Sequence, residues 1–280
     1  MSSSWQPPAL QHAPDGWKDP SPHKTGFERV NGVRLHYLDW GGKGEVLLFL
    51  HGLGDCAHIF DDLAPQFTNR YRVLGLTRRG HGQSEVSASG YDTGTLVEDI
   101  RAFLDHWKIR QVTLVGHSLA GNELTRFAEV YPTRVKKLIY LDAAYDRAGL
   151  QERMANAPTP PYPSKEIRAS FARVRQWVIA TTPPPWTPAW EADFREVVVF
   201  DEKEQVYRRR MPAHVNEALL QGSAASHPGY TKVQAPALSI YALYDVTAMC
   251  AAYPDAVSRQ QIKDLRRLRP QLFRRRVQHF

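Results

Sequence analysis

The feature that most constrains this chain is a strand-like run that ends in a turn of small residues around a serine. The run covers residues 111–115, and the turn reads Gly-His-Ser-Leu-Ala-Gly at residues 116–121, with Ser118 inside it. A helix-compatible segment, residues 119–130, follows directly. Small residues are needed where a strand turns sharply into a helix, because a Cβ there would clash with the neighbouring elements. The pattern therefore predicts a strand–turn–helix elbow that presents Ser118 as a nucleophile.

The alternative interpretation of this segment is an ordinary serine in a strand–helix loop. The string departs from Gly-x-Ser-x-Gly, because Ala120 holds the fifth position and the glycine comes one residue later. We favour the elbow because a strand precedes it and a helix follows it. The N-terminus of that helix offers free N–H groups and a partial positive charge to a developing oxyanion. The backbone N–H of Leu119 is therefore predicted to be one oxyanion donor.

Length and composition are those of a soluble globular protein. The 280 residues can bury a substantial core, and no apolar run is long enough to cross a membrane. No signal peptide is visible and two cysteines are too few for a disulfide framework, so a reducing, cytoplasmic setting is expected. The net charge of +7 equals the excess of positive charge in residues 259–276, which hold eight basic residues and one acidic residue, Asp264. Such a run is typical of a solvated helix face, and it lacks the interleaved aromatic residues of a nucleic-acid-binding patch.

The order of elements predicts the fold class and the domain boundaries. Residues 1–24, rich in Pro, Ser and His, are predicted to form a flexible N-terminal arm. An Asn-Gly pair at residues 31–32 predicts a hairpin, and the alternating strand and helix patterns after it predict an α/β fold with a mainly parallel sheet. The first part of this core is assigned to residues 25–145 and the second to residues 234–280. The proline-rich stretch 146–233 interrupts the alternation and is predicted to be a helical lid.

The individual elements are predicted from their hydrophobic patterns. The strands are placed, in chain order, at residues 45–50, 71–76, 111–115, 135–141 and 237–243. The helices are placed at residues 56–67, 119–130, 165–180 and 188–199, with one more whose apolar face carries Val97, Ile100, Phe103, Leu104 and Trp107. Five aromatic residues of the predicted lid are assigned either to an acyl pocket or, for most of them, to the lid's own core: Phe171, Trp177, Trp186, Trp190 and Phe194.

Two further segments fit a nucleophilic serine. His-Gly-Leu-Gly at residues 51–54 follows a predicted strand, and a turn there can aim the Leu53 N–H at the same oxyanion as the Leu119 N–H. Asp245 follows the strand after the lid, where a carboxylate would orient a histidine base. The alternatives are a plain β-turn for the first segment and a solvated loop aspartate for the second.

Together with Arg-Gly-His-Gly-Gln-Ser at residues 79–84, these motifs resemble the α/β-hydrolase superfamily from about Phe27 to Asp245. The resemblance implies a Ser–Asp–His order, a helical lid, and no metal or organic cofactor. It also implies an acyl-enzyme, because epoxide hydrolases and haloalkane dehalogenases of this superfamily carry an aspartate where this chain has Ser118. One departure is Thr-Arg at residues 77–78, where the family often has Asp-Leu or Asp-Met. That loop is not catalytic in the family, so the departure is treated as minor.

The histidine base is the weakest part of this assignment. The sole histidine after Asp245 is His279, and residues 262–280 carry apolar residues at helical spacing rather than a strand pattern. His279 would then lie at the end of a helix, and we keep it as a candidate base beside the alternative of an ordinary helix-terminal residue. The expectation is a hydrolase fold that lacks its last strand, its histidine loop and its final helix.

Three functions remain open from the sequence. The first is a serine hydrolase of a small, mostly apolar ester or related acyl compound: Ser118 attacks, and the Leu53 and Leu119 N–H groups hold the oxyanion. The second is a truncated or non-catalytic protein that binds a ligand without turnover. The third is a lyase or peroxidase-like enzyme with the same elbow. A small-molecule acyl substrate is the expected partner, nucleic acid and membrane are not, and the oligomeric state is left open.

Overall fold

The computed structural model describes residues 15–144, 162–182, 185–226 and 229–241. Within these ranges the strands are β1 (Lys24–Val30), β2 (Val33–Gly41), β3 (Glu45–Leu50), β4 (Tyr71–Leu76), β5 (Val112–His117), β6 (Val135–Leu141), β7 (Val198–Asp201), β8 (Val206–Arg209) and β9 (Ala237–Ile240). The α-helices are α1 (Thr93–His106), α2 (Ala120–Val130), α3 (Lys165–Arg168), α4 (Phe171–Thr181), α5 (Pro188–Val197) and α6 (Ala213–Ala224).

The strands assemble into one large sheet in the order β1-β2-β4-β3-β5-β6-β9, while β7 and β8 form a separate antiparallel hairpin. β1 and β2 are antiparallel, and β2 is antiparallel to β4. The pairs from β4 through β9 are all parallel. At the β1–β2 turn, Asn31 and Gly32 both have positive φ angles, +47° and +74°, as a two-residue hairpin turn requires. The predicted α/β fold with an N-terminal antiparallel hairpin is thus confirmed.

The core lies on both faces of the central strands. Leu48 of β3 and Leu114 of β5 are buried in a cluster that includes the apolar side chains of α1 and α2. Phe49 and Val115, the next residues along the same strands, are buried on the other face with Phe60. Successive strand residues point to opposite faces, so a strand covered on both sides needs a continuous apolar run. β3 and β5 have such runs, and the loop with Leu53 and the turn with Ser118 follow them.

The prediction of one helix over residues 56–67 is wrong. The segment forms two short 3₁₀ turns instead, Ala57–Phe60 and Ala64–Phe67. Pro65 occupies the first turn of the second element, and a proline has no N–H with which to continue a helix from the preceding turn. The single helix predicted over residues 165–180 is likewise two helices, because the backbone of Ser170 is extended between α3 and α4.

The segment between β6 and β9 contains α3 to α6 and the β7–β8 hairpin. Because β6 and β9 pair directly, this segment leaves the sheet and returns to it at neighbouring strands. We call the described residues between β6 and β9 the lid segment, because they cover most of the predicted lid. The predicted lid boundaries, residues 146 and 233, stay predictions. Of the predicted arm, residues 15–23 lie against the core, where the Ser21 hydroxyl donates a hydrogen bond to Asp61 (2.8 Å).

Several predictions fall on residues 242–280, which lie outside the described residues. They include Asp245, His279, the basic run at 259–276, and the expected lack of a last strand and helix. Within the described ranges, β9 is the end strand of the sheet, and its Leu238 and Ile240 side chains are exposed. No helix in the described part of the chain is long and apolar enough to span a membrane.

Candidate functional site

Ser118 lies at the tight turn between β5 and α2. Its φ angle is +50°, a left-handed conformation that is uncommon for a residue with a side chain, and its N–H donates to the Leu141 carbonyl (3.1 Å). A Cβ added at Gly116 would lie 2.6 Å from Leu124, and one added at Gly121 would collide with the backbone of Ala143. The small residues around the serine are therefore required by packing. The turn has the backbone geometry predicted for an elbow.

The second loop of the site follows β3 and carries Leu53. The side chain of Leu53 packs against a cluster of buried apolar side chains that includes Leu119. The same cluster includes Val215 and Leu219 of α6, which brings the lid segment onto both loops. Among the described residues, no turn or loop hydrogen bond runs from the Leu53 N–H or the Leu119 N–H to a backbone carbonyl. The two N–H groups stay the predicted oxyanion donors.

Arg78, treated from the sequence alone as a minor departure from the family pattern, joins these two loops. It is 3% exposed and forms a buried ion pair with Glu123 of α2. Its guanidinium also donates to the Gly52 carbonyl (2.9 Å), and its backbone N–H donates to Nε2 of His51 (3.0 Å). Burial raises the pKa of Glu123, and the Arg78 charge opposes that rise. One side chain therefore fixes the elbow helix against the loop that carries Leu53.

His51 and His81 lie beneath the site as neutral imidazoles. Their rings meet edge to face with centroids 4.8 Å apart. Burial lowers the pKa of His81 to about 3, with a further contribution from the Arg78 charge. The pKa of His51 is also lowered well below its usual range, by burial and then by the Arg78 charge. Because Nε2 of His51 accepts from the Arg78 N–H, its proton is on Nδ1, which donates to the Gly52 carbonyl (2.7 Å). His51 thus joins Arg78 to the Leu53 loop through its two ring nitrogens.

His117, next to the serine, faces the Leu53 loop. Its Nδ1 lies 3.8 Å from Oδ2 of Asp55. A Cβ on Gly52 would lie 2.9 Å from that nitrogen and 3.0 Å from that oxygen, so only glycine leaves room for the pair. Burial raises the pKa of the Asp55 carboxyl, while the His117 and Arg209 charges oppose the rise. Asp55 is a polar group of the site that the sequence pattern did not reveal.

Two acids of α5 anchor the lid segment to the core. Asp193 is 4% exposed and accepts a hydrogen bond from the Cys56 N–H (2.7 Å). Its pKa is raised well above the usual range, first by burial and then by the nearby Asp55 charge. Glu196 accepts from the Gln83 N–H (3.1 Å). Burial alone would raise the pKa of Glu196, but His36 and His58 hold it well below its usual range.

A cavity of about 150 Å³ lies between the lid segment and the Leu53 loop. Gly54 and Asp55 form its floor, whereas Ser118 does not line it. Its aromatic wall consists of Tyr162, Trp177, Trp186, Trp190, Phe194 and Tyr207. Its charged lining consists of Asp55, Arg168, Asp193, Arg208 and Arg209. Four of the five predicted lid aromatics therefore line a pocket, while Phe171 packs on Phe194 (5.5 Å between ring centroids).

Arg209 is a basic residue of the cavity lining that lies beside Gly54. Its guanidinium would lie 2.6 Å from a Cβ placed on Gly54, so it covers the residue next to Leu53. Arg208 is paired with Asp201 (2.6 Å), and Arg168 stacks over Tyr162 (5.0 Å). Long-range contacts of this kind leave no local sequence signal, since Arg209 is more than 150 positions from Gly54.

The whole arrangement matches a known family. The sequence fits the family described as alpha/beta hydrolase fold over residues 45–279, which is most of the chain. The chain belongs to the α/β-hydrolase family. Solved structures agree on the fold: an E-2-(acetamidomethylene)succinate hydrolase superposes with a TM-score of 0.65 at 19% identity, covering 83% of this chain and 88% of that one. The thioesterase domain from the curacin biosynthetic pathway gives 0.60 at 19% identity, with 78% and 83% covered.

Curated members of the α/β-hydrolase family match over shorter stretches. Non-heme chloroperoxidase CPO-A1 of Kitasatospora aureofaciens is 37% identical over 117 residues, 40% of this chain and 42% of that protein. Human epoxide hydrolase 4 is 30% identical over 146 residues, 50% of this chain and 40% of that protein. The matches thus span about two fifths of these relatives' length. They support a hydrolase of the α/β-hydrolase family.

Proposed function

We propose that this chain is a serine hydrolase that cleaves a small, mostly apolar ester or related acyl compound through an acyl-enzyme. The observation that carries the proposal is Ser118 at a left-handed turn ahead of α2, beside the Leu53 loop. Nucleophilic catalysis of this kind needs an exposed hydroxyl and two N–H donors aimed at one oxyanion. Human epoxide hydrolase 4 shares 30% identity over its matched stretch, yet a serine nucleophile favours acyl transfer over epoxide opening.

In the proposed reaction, Oγ of Ser118 attacks the acyl carbon while its proton passes to a base. The Leu53 and Leu119 N–H groups and the N-terminus of α2 stabilise the oxyanion. When the tetrahedral intermediate collapses, the bond to the leaving alcohol breaks and the base returns the proton to that alcohol. Water then hydrolyses the acyl-enzyme by the same steps. His279 is the proposed base, and Asp245 is the proposed carboxylate that orients it. A cytoplasmic setting is part of the same proposal.

The cavity above Gly54 supports a more specific substrate class. Its aromatic wall favours a substrate with an apolar body. The Arg209 guanidinium beside Gly54 can bind a carboxylate of the substrate through two parallel hydrogen bonds. We therefore propose an acyl substrate that carries one acidic group close to the scissile carbonyl. The structural neighbour with a TM-score of 0.65 is named for a succinate derivative, which is itself acidic.

The test is labelling of the full chain with a fluorophosphonate probe, followed by intact-mass and peptide mass spectrometry. An active site of this type adds one probe per chain, on Ser118. The Ser118→Ala variant is expected to stay unlabelled, and Ser89→Ala, at an exposed serine, is expected to label like the wild type. Asp245→Asn and His279→Gln are expected to slow labelling. An unlabelled wild type would overturn the hydrolase proposal and favour a ligand-binding protein without turnover.

A further inference from the structure

A second cluster of titratable side chains lies away from Ser118, at the junction of the N-terminal segment and the turn after the Leu53 loop. Its members are Asp19, His23, His58 and Asp61, and one ligand atom from each falls within 4.8 Å of the others. Two imidazoles and two carboxylates are a ligand set that binds Zn²⁺. None of these residues takes part in the proposed acyl transfer.

One ligand atom from each residue lies within 4.8 Å of the others, a range that contains the spacing of metal ligands. Nδ1 of His58 lies 3.3 Å from Oδ2 of Asp19, and Nδ1 of His23 lies 3.3 Å from Oδ1 of Asp61, the oxygen of that carboxylate that does not face His58. Bonds of about 2.0–2.1 Å in a tetrahedron place neighbouring ligand atoms about 3.3 Å apart. The 2.6 Å contact between Nδ1 of His58 and Oδ2 of Asp61 is shorter, so this pair would separate slightly around an ion.

Two buried atoms of the cluster have no hydrogen-bond partner among the described residues. They are Nδ1 of His23, on a side chain that is 10% exposed, and Oδ2 of Asp19. Each lies 3.3 Å from an ionisable partner, Asp61 for His23 and His58 for Asp19, but without hydrogen-bond geometry, which buried polar atoms normally have. The other Asp19 oxygen is already used, because Oδ1 accepts from the Ser21 N–H (2.8 Å) and fixes the carboxylate. A shared cation would satisfy both atoms at once.

The groups behind the ligands also fit a metal centre. Nε2 of His58 lies 3.3 Å from Glu196, the carboxylate–histidine arrangement that orients imidazole ligands. Oδ1 of Asp61 accepts from Nε1 of Trp40 (2.8 Å) and from the Ser21 hydroxyl (2.8 Å), which fixes the direction of its second oxygen. Ligating carboxylates are held in this way in metal sites.

We propose that Asp19, His23, His58 and Asp61 form a structural Zn²⁺ site that holds residues 15–23 to the core. The two sequence pairs, Asp-x₃-His and His-x₂-Asp, come from segments about 40 positions apart, so the ion closes a long loop. Through Glu196 it also connects to α5 of the lid segment. The rival arrangement is a set of ion pairs centred on a protonated His58, with no metal bound.

The experiment uses the full chain, stripped with a chelator and reloaded with Zn²⁺ or Co²⁺. We expect one ion per chain by elemental analysis, a visible Co²⁺ absorption typical of tetrahedral N/O coordination, and a Tm that rises with Zn²⁺ concentration. Asp19→Asn and His23→Gln are expected to weaken Zn²⁺ binding by at least about 100-fold. Asp62→Asn and His214→Gln, both at exposed positions, are expected to bind Zn²⁺ like the wild type.

Asp19→Asn is expected to fold like the wild type. The Asp19 side chain is 23% exposed, and Asn keeps the oxygen that accepts from the Ser21 N–H. If the stripped wild type takes up no Zn²⁺ and its Tm does not respond, the site is an ion-pair cluster and the proposal fails. Equal uptake by wild type, Asp19→Asn and His23→Gln would also overturn it, since the ion would then bind elsewhere.

Discussion

The sheet edge, by which we mean the carboxyl ends of β3 and β5 beneath Ser118, and the lid segment above it are stabilised in different ways. The edge rests on buried apolar strands and on one fully buried ion pair, Arg78 with Glu123. The lid segment buries fewer apolar residues than the sheet core, and in α4 the buried one is Val174. Polar contacts add to its stability, with Glu191 accepting from Arg175 and Arg195. The sheet edge is therefore built for rigidity, while the lid segment depends on a few interactions that can change with the ligand.

The largest expected effect is at Arg78. Arg78→Met leaves the buried Glu123 carboxylate without its partner, which costs about 3–5 kcal/mol of unfolding free energy. Urea denaturation measures this loss, and the exposed Arg110→Met is the matched control, expected within about 0.5 kcal/mol of wild type. The double variant Arg78→Met/Glu123→Met is expected to recover part of the loss. A small effect of Arg78→Met would mean that the sheet edge does not depend on this pair.

The second prediction concerns the lid segment alone. Glu191→Gln removes the charge that holds Arg175, Arg195 and the Trp186 indole (2.7 Å). We expect the local opening free energy of α4 and α5 to fall by about 1–3 kcal/mol, while β3 and β5 keep their protection. Hydrogen exchange read by mass spectrometry resolves the two regions. Glu217→Gln, at an exposed position of α6, is the control. An equal loss of protection in the lid segment and in β3 and β5 would show that the two regions do not differ in this way.

The third prediction is that the unfolding free energy depends on pH through buried histidines at the sheet edge. The pKa of His81 is about 3 in the folded state, against about 6.5 when unfolded, so between these values the unfolded chain binds the extra proton. Unfolding free energy should therefore fall as the pH is lowered from 6.5 toward 4, by up to about 1.4 kcal/mol per pH unit for this group. His51 acts in the same direction.

His81→Asn isolates this contribution, because Asn can still donate to the Arg79 carbonyl that accepts from Nδ1 of His81 (3.0 Å). The variant is expected to show a shallower acid slope in urea titrations at several pH values. Other titrating groups contribute equally to both proteins and cancel in the comparison. An unchanged slope would show that His81 does not stay neutral in the folded protein.

The smallest expected effect is at Arg209, where the lid segment meets the floor of the cavity. Arg209→Gln is expected to lower kcat/KM about 10-fold for acyl substrates with a carboxylate near the scissile bond. Uncharged esters of the same size should be hydrolysed at the wild-type rate. Arg173→Gln is the control, since Arg173 is exposed on α4 and does not line the cavity. Equal losses on both substrate sets would assign Arg209 to lid stability instead.

The parts of the site that local pattern could predict are those set by neighbouring residues. Gly116 and Gly121 have no room for a side chain, which fixes the turn around Ser118, and continuous apolar runs place β3 and β5 at the centre of the sheet. Short-range sterics and burial leave a readable trace in sequence. Asp245 and His279 lie outside the described residues, so their roles stay predictions.

What the sequence could not predict depends on partners far apart along the chain. Arg78 was set aside as a departure from the family, yet its partner Glu123 lies 45 positions away and its contact to Gly52 lies 26 positions away. Asp193 binds the Cys56 N–H across 137 positions. The helix predicted at 56–67 failed for a local reason, since the apolar spacing was right but Pro65 interrupts the hydrogen bonding.

The pairing of β6 with β9 has a consequence for how such a chain can diversify. The lid segment leaves and rejoins the sheet at two adjacent, hydrogen-bonded strands, with Leu138 opposite Ala237 and Leu141 opposite Ile240. A replacement segment has to match only those two closely spaced attachment points. The strands that precede Ser118 and Leu53 lie on the other side of β6 from β9. An exchange of the inserted segment can therefore change what covers the sheet while the pairing of β3 with β5 is kept.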